Sequence, residues 1–223
     1  MHIPDGYLGP YTYGGLWAAI VPIWIYASRK VKETLKASQI SLLALSAAFS
    51  FVIMMFNVPI PGGTTGHATG ATLIAILIGP WAAIVAVSIA LIIQALIFGD
   101  GGITAIGANC FNMGFAEVLI GYSIYKLIAG GSDIKSMRRI AGAGVGAYIG
   151  INFAAFLTAF ELGIQTVLHV GTDGRPLYSP FPLTVTIPAI MIEHIALFGV
   201  VEAVVTVLVI GYLRKSHPDL IRR

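Results

Sequence analysis

Seven apolar runs occupy most of this 223-residue chain, and only short polar intervals separate them. Charged residues make up 10% of the sequence, whereas a soluble domain usually carries about 25%. A helix needs roughly 20 apolar residues to cross the hydrocarbon core of a bilayer, and several runs reach that length. No polar interval is long enough for a separate soluble domain. The sequence therefore predicts an all-α membrane protein in which residues 1–223 form a single membrane domain.

The apolar runs predict about seven transmembrane helices. Their approximate ranges are 13–28, 39–56, 67–78, 81–98, 104–129, 140–168 and 183–213. The third run holds only 12 residues, which as a helix would reach about 18 Å. It could form a thin span, a tilted half-helix, or the first arm of a hairpin that turns at Gly79 and Pro80. The last two runs are longer than a bilayer requires, so we expect them to tilt or to project from it.

Basic residues set the predicted orientation, because Lys and Arg accumulate in cytoplasmic loops. All of them except Arg175 fall into three groups. These are Arg29, Lys30, Lys32 and Lys36 after the first run, Lys126, Lys135, Arg138 and Arg139 around the loop between the fifth and sixth runs, and Arg214, Lys215, Arg222 and Arg223 in the tail. Seven crossings, with the N-terminus outside and the C-terminus cytoplasmic, place all three groups in the cytoplasm. With one crossing fewer, the Lys135–Arg139 group would be external.

This topology gathers four segments on the outer face of the membrane. They are residues 1–10, the charge-free loop Asn57–Gly66, the turn Gly99–Ile103 and the loop His169–Pro182. Irregular backbone near membrane depth is tolerated where it is buried in protein or lines a cavity. We therefore expect these segments to fold together into an external pocket.

The N-terminus begins MHIPDGYLGP and has no Lys or Arg before Arg29, so it lacks the basic start of a signal peptide. An initiator methionine is normally removed only before a small residue, and His2 is large. We therefore expect Met1 to remain in the mature protein with a free α-amino group.

A histidine at the second position brings three nitrogen atoms within reach of one metal ion. The α-amino nitrogen of Met1, the deprotonated backbone nitrogen of His2 and the His2 Nδ1 would close fused five- and six-membered chelate rings, which hold the donors in one plane. Nickel(II) and copper(II) prefer square-planar nitrogen ligation. His67, at the outer end of the third run, is the predicted fourth ligand. Either histidine alone is more often an ordinary surface or helix-start residue, and their pairing on one face favours a metal site.

Other polar residues are weaker candidates. Metal-bound imidazoles are oriented by neighbouring hydrogen-bonding groups, and the candidates for this role are Asp5, Asn57, Thr69 and Asn109. His169 could be an accessory ligand or merely solvated. Glu193 and His194 could be functional or form a structural pair inside the bundle. The single cysteine, Cys110, excludes an internal disulfide and any multi-cysteine metal site.

Three motifs, MHIPDGYLG, GGTTGHATGA and ITAIGANCFNMG, closely resemble the NikM/CbiM family, the substrate-binding membrane subunits (S components) of energy-coupling factor nickel and cobalt importers. The resemblance covers essentially the whole chain. It implies a six-helix core with one added N-terminal helix, in the cell membrane of a prokaryote. It also implies that Met1, His2 and His67 hold the ion, with Ni²⁺ the expected substrate and Co²⁺ the alternative. The opening motif and a planar nitrogen site both favour nickel.

The energy for transport must come from other subunits, because the chain has no G-x-x-x-x-G-K-[ST] phosphate loop. The resemblance implies a transmembrane coupling subunit of the EcfT type and two ATPase subunits, with a small accessory membrane subunit as a further candidate and no nucleic acid. Ala44 and Ala48 form a small-xxx-small pair on the second run, where another helix could approach closely. Packing within the chain explains this pair equally well, and the resemblance favours docking of a partner.

Two other classes of function fit the sequence less well. An ion-coupled secondary transporter would need broken helices and paired ionisable groups near mid-membrane, perhaps including Glu193 and His194, and the sequence shows no convincing inverted repeat. An intramembrane metalloenzyme would need an open metal position, and the sequence contains neither H-E-x-x-H nor G-x-S-x-G. We therefore expect a binding and transport subunit rather than an enzyme.

Overall fold

The computed structural model of the protein describes residues 1–35, 37–60 and 63–221. Three of the basic residues assigned above to the cytoplasm, Lys36, Arg222 and Arg223, lie outside the described residues, as do residues 61 and 62 of the second predicted loop. The described chain is mostly helical, which confirms the predicted all-α class apart from one small hairpin.

The α-helices are α1 (Pro10–Thr34), α2 (Ala37–Met54), α3 (Ala71–Ile78), α4 (Pro80–Ile93), α5 (Ile106–Asn109), α6 (Val118–Ala129), α7 (Met137–Gly163), α8 (Gln165–Leu168), α9 (Leu183–Glu193) and α10 (Gly199–Ser216). π-Helical segments follow or join them at Gln94–Phe98, Cys110–Glu117 and His194–Phe198, and a short 3-10 helix covers Pro218–Leu220. Strands β1 (Val58–Ile60) and β2 (Thr64–Gly66) form the antiparallel hairpin.

These helices and π-helical segments line up as seven rods that correspond to the seven apolar runs. The fourth rod is Pro80–Phe98, the sixth is Met137–Leu168 and the seventh is Leu183–Ser216. Within the described residues, these three are long and apolar enough to cross a membrane, whereas Gln39–Met54 is apolar but shorter. The described residues therefore form seven helical rods, of which three are long and apolar enough to cross a membrane. The number of crossings stays a prediction.

The third run forms a shorter helix than predicted, because α3 begins at Ala71 and not at His67. Seven of its eight residues are buried, so this short helix is surrounded by protein. Gly70, with φ of 71°, precedes it, and Gly79, with φ of 89°, ends it. The backbone N–H groups of Thr69 and Gly70 donate to one carboxylate oxygen of Glu202 on α10, at 2.8 and 3.0 Å. Distant polar groups therefore satisfy the irregular backbone before α3, as burial at membrane depth requires.

Helices α6 and α7 pack at very short range. A β-carbon on Gly146 would lie 2.5 Å from the carbonyl oxygen of Gly121, and Gly142 and Gly150 face α6 in the same way one turn before and after. Small residues four apart allow two backbones to approach closely, a common solution among membrane helices. These two helices form the most closely packed wall of the bundle beside α3.

Two features of the surface bear on orientation and partners. Arg214 at the end of α10 donates a 3.0 Å hydrogen bond to the carbonyl oxygen of Lys135, so two of the three basic groups meet at one end of the molecule. Ala44 and Ala48 are both exposed on α2. They do not pack inside the chain, so the internal-packing explanation of this pair is wrong.

Candidate metal centre

The N-terminal segment lies among the three loops that were predicted to accompany it. The α-amino group of Met1 donates to the carbonyl oxygen of Thr65 on β2, and the Thr64 hydroxyl donates to the His2 carbonyl at 2.9 Å. The amide of Gly102 donates to the Ile3 carbonyl at 2.8 Å. Further along, the loop of residues 169–182 joins them through a 3.1 Å bond from the Ser179 amide to the Tyr7 carbonyl.

Asn109 and apolar side chains anchor this segment. Asn109 Oδ1 accepts from the Ile3 amide at 2.9 Å, and its Nδ2 donates to the Ile3 carbonyl at 3.2 Å. The side chains of Met1, Ile3 and Leu8 are buried in the main hydrophobic core. Burial of these side chains and pairing of the backbone together hold the first residues in a fixed position, so the α-amino group is itself buried.

Met1, His2 and His67 are brought together. The imidazole rings of His2 and His67 are stacked, with centroids 4.6 Å apart and planes inclined by 30°. Both rings are buried, His67 completely. Among the described residues, no group of three His, Cys, Asp or Glu side chains is arranged to hold a metal ion. A site here would therefore use nitrogen atoms of the main chain beside the two imidazoles.

Hydrogen bonds determine which nitrogen of each imidazole carries the proton. His67 Nδ1 lies 3.1 Å from the Ala68 carbonyl oxygen, and His2 Nε2 lies 3.2 Å from Gln94 Oε1. Both oxygens can only accept, so these ring nitrogens must be the protonated ones. His67 Nε2 and His2 Nδ1 then carry free lone pairs, and both are buried without a hydrogen-bond partner among the described residues. These are the two nitrogens that the predicted chelate requires.

Burial also keeps the donor groups uncharged. It lowers the pKa of the Met1 amine from 8.0 to about 4, against the opposing effect of Asp100 and Glu117. It lowers the pKa of His2 from 6.5 to about 3, and the nearby amino group acts in the same direction. At neutral pH both groups are therefore deprotonated and have lone pairs available, as metal ligands must.

Asp100 contacts His2 from the outer turn. Its Oδ1 lies 3.3 Å from His2 Nδ1, and its Oδ2 accepts a 3.2 Å hydrogen bond from Asn57 Nδ2. Partial burial is the main cause that raises the pKa of Asp100 above its usual value. Because His2 is neutral and its proton lies on Nε2, the contact between Asp100 and His2 is not an ion pair. Asn57 therefore acts on His2 only through Asp100.

Two of the proposed supporting residues bond elsewhere. Asp5 accepts hydrogen bonds from the amides of Ile103 and Thr104, each at 2.9 Å, and from the Thr104 hydroxyl. Burial raises the pKa of Asp5, but these three hydrogen bonds outweigh it and lower the pKa below its usual value. Thr69 bonds Glu117 and the Ala71 amide. Asp5 thus ties the outer turn to the N-terminal segment, and Thr69 belongs to a network beneath the two imidazoles.

Gln94 and Asp100 were not predicted from the sequence. Gln94 lies at the start of the π-helical segment that follows α4, and Asp100 follows in the turn after it. One signal was present, because Gln94 interrupts an otherwise apolar run and polar residues inside a membrane span are often functional. No local pattern points to Asp100, because its contact with His2 depends on how the turn folds back.

The remaining histidines have other surroundings. The His169 ring packs between Tyr11 and Tyr178, with centroid distances of 5.4 and 5.2 Å, and lies against Gly9. It therefore covers the end of the N-terminal segment and not its start. His194 is buried, and its Nδ1 donates to the Ile190 carbonyl at 2.8 Å. Glu193, beside it, is only partly buried, so the two do not form a pair inside the bundle.

Known proteins resemble this chain along its whole length. The family described as "Cobalt uptake substrate-specific transmembrane region" (CbiM) matches residues 2–220. A fused nickel transport protein NikMN of Rhodobacter capsulatus is 49% identical over 221 residues, which are 99% of this chain and 64% of that protein. A putative metal transport protein of Methanocaldococcus jannaschii is 47% identical over 221 residues, covering 99% of this chain and 94% of that protein.

A solved structure agrees with the fold. The crystal structure of a truncated transition metal transporter is 49% identical and matches with a TM-score of 0.93, covering 97% of this chain and 100% of that one. The arrangement of the helices is therefore shared with a protein described as a transition metal transporter. The chain itself spans about two thirds of the length of the fused Rhodobacter relative.

Proposed function

The chain belongs to the CbiM family of metal transport proteins, and from this premise we propose that it is the S component of an energy-coupling factor importer for Ni²⁺, with Co²⁺ as the alternative substrate. The main support is that the buried Met1 amine, His2 and His67 lie close together. Each of the two imidazoles has one ring nitrogen without a hydrogen-bond partner among the described residues. Such a constellation binds a transition ion and leaves no open position for catalysis.

The four donors are the Met1 amine, the His2 backbone nitrogen, His2 Nδ1 and His67 Nε2. The His2 amide donates no hydrogen bond to a described residue, so a metal could replace its proton without breaking one. A planar set of four nitrogens favours nickel(II) over ions that prefer tetrahedral or octahedral shells. The name of the Rhodobacter relative, which is a nickel transport protein, points the same way.

The proposed arrangement in the cell membrane has seven crossings, with the N-terminus outside and the C-terminus in the cytoplasm. The distribution of Lys and Arg supports it, as does the contact that brings the tail to the loop between α6 and α7. The helix α3 is too short to cross alone, so the irregular segment before it would complete that crossing inside the protein.

Transport would need a coupling subunit of the EcfT type and two ATPase subunits, because the sequence contains no G-x-x-x-x-G-K-[ST] phosphate loop. A small accessory membrane subunit is a further candidate. The exposed pair Ala44 and Ala48 on α2 is the proposed docking surface for the coupling subunit. ATP hydrolysis then belongs to the partners, and this chain supplies recognition of the ion.

An ion-coupled secondary transporter is the second candidate. One observation favours it: Glu117 and Glu202 are fully buried and converge on Thr69, and buried acidic groups of this kind serve in proton-coupled transport. Proteoliposomes that contain only this chain separate the two candidates. Uptake of Ni²⁺ driven by a proton gradient would establish the secondary transporter, and uptake only with the ATPase subunits and ATP would exclude it.

The visible spectrum of the purified protein with one equivalent of Ni²⁺ tests the proposed site. We expect a yellow, diamagnetic species, since square-planar nitrogen ligation pairs all electrons of nickel(II). One residue added before Met1, or His67→Ala, should abolish this species, while His217→Ala in the exposed tail should preserve it. A pale green octahedral spectrum, or an unchanged spectrum in the extended protein, would overturn the proposal.

A further inference from the structure

Asp100 is an acidic side chain in contact with a proposed metal ligand, and it is not one of the four proposed donors. Its Oδ1 lies 3.3 Å from His2 Nδ1, while the bond from Asn57 holds its other oxygen. We propose that Asp100 is the capture ligand of the centre: it binds the incoming divalent cation first and passes it to His2. This inference rests on the proposed function and adds a step to it.

The contact between Asp100 and His2 is chemically incomplete. His2 Nε2 donates to Gln94, so Nδ1 directs a lone pair at a carboxylate oxygen with no hydrogen between them. Nδ1 is also buried and has no hydrogen-bond partner among the described residues. Two electron-rich atoms at this distance repel each other, and a cation bound to both removes the repulsion. The geometry therefore suits a divalent ion held briefly by oxygen and nitrogen together.

Exposure decreases stepwise from Asp100 to the centre. The Asp100 side chain is 22% exposed, the His2 side chain 3%, and Met1 and His67 are fully buried. A hydrated ion cannot reach a closed cage of buried nitrogens in one step, because it must lose its water molecules on the way. A partly exposed carboxylate at the rim replaces the first of them and offers a negative charge to a cation.

The step is an exchange of ligands without oxidation or reduction. One water molecule leaves the hydrated cation as an Asp100 oxygen binds, and His2 Nδ1 then replaces a second. The amine, the His2 backbone nitrogen and His67 Nε2 complete the plane, and the displaced amide proton passes to water. Asp100 is released at the end, so it speeds loading without belonging to the final coordination.

Stopped-flow absorbance of the yellow species measures this step, with Ni²⁺ mixed into purified protein. Asp100→Asn should slow association about tenfold, a typical effect of one charge that guides a ligand. Dissociation and the spectrum of the loaded protein should stay unchanged. Asp173→Asn is the matched control, because it removes the same charge from an exposed residue of the loop at 169–182 that forms an ion pair with Arg175. This variant should leave association within about twofold.

Three outcomes would overturn the inference. Equal slowing by Asp100→Asn and Asp173→Asn would show a general effect of charge on this face. Faster dissociation, or a changed spectrum, with Asp100→Asn would show a permanent ligand. Failure of Asp100→Glu to restore rapid association would show a role in folding, because this variant keeps the carboxylate. A wild-type protein without the yellow species would instead refute the proposed metal site itself.

Discussion

Gln94 decides which nitrogen of His2 is available. Its Oε1 holds the proton of His2 on Nε2, and its own amide donates to the Phe51 carbonyl at 3.4 Å, which fixes the orientation of the side chain. Partners of this kind keep a ligating imidazole in one tautomer and one rotamer. Gln94 therefore supports the centre without being a ligand.

Gln94→Leu should weaken Ni²⁺ binding about 10- to 100-fold, the usual cost of losing such a partner. The buried Nε2–H would have no acceptor, and the free lone pair would no longer be fixed on Nδ1. Calorimetric titration of the purified variant with Ni²⁺ measures the loss.

Gln165→Leu is the control for this prediction, because Gln165 is equally buried and accepts from the Gly9 amide at 3.0 Å without touching His2. The same loss of affinity in both variants would show that Gln94 acts only by docking the N-terminal segment.

His2 and His67 could be predicted because their chemistry is local. An amine followed by a histidine is a chelating group in any fold, and a second histidine on the same face needed only the order of the crossings. The contacts of Gln94 and Asp100 with His2 could not be predicted, because they join positions more than 90 residues apart; the sequence marks Gln94 only as a polar residue in an apolar run. Asp5 was predicted to orient a metal-bound imidazole. Its carboxylate oxygens instead accept hydrogen bonds from the amides of Ile103 and Thr104 in the outer turn.

The sequence predicted the presence of each helix more accurately than the residues at which the helix begins and ends. Each apolar run forms one rod, because hydrophobic length alone decides where a buried helix lies. The predicted start of α3 was wrong by four residues. The backbone N–H groups of Thr69 and Gly70 donate to Glu202 on α10, so this stretch lies outside the helix. The π-helical segments were not predicted either. One extra residue in a helical turn does not change the hydrophobic composition from which the helices were predicted.

Gly146→Ala tests the close packing of α6 against α7. The new methyl group would meet the Gly121 carbonyl at 2.5 Å, and a backbone oxygen cannot move aside without displacing the helix. We expect a clearly lower thermal midpoint for the detergent-purified protein, although alanine is the better helix former by about 1 kcal/mol.

Gly211→Ala is the matched control on α10, where the nearest atom to the new methyl is a side-chain carbon of Ile140 at 3.8 Å. This variant should keep or slightly raise the midpoint. If both variants melt alike, close contact between the two backbones does not limit stability.

In the whole molecule, the order of the helical rods explains why four separate segments meet at one end. Alternate loops of a membrane bundle lie at the same end. The order of the apolar runs was therefore enough to predict which loops lie beside the N-terminal segment. The way α3 is enclosed could not be predicted, because its apolar run of 12 residues is short for a span and nothing in the sequence shows that other helices surround it. The bundle therefore carries its candidate metal centre at one end and an exposed apolar helix, α2, along its side.

The exposed surface of α2 should couple the proposed ion site to the energy source. Ala44 and Ala48 are exposed between larger exposed side chains, including Ile40, Leu45 and Val52, and leave a shallow strip for another helix. Leucine at both alanines would fill this strip and keep a coupling helix away. The double variant should bind Ni²⁺ like the wild type, yet lose uptake in cells that express the coupling and ATPase subunits, and no longer co-purify with them.

Ala141→Leu is the control, because it makes the same enlargement at an exposed alanine of α7 and should preserve both uptake and co-purification. Uptake by the α2 variant at the wild-type rate would exclude this surface as the docking site.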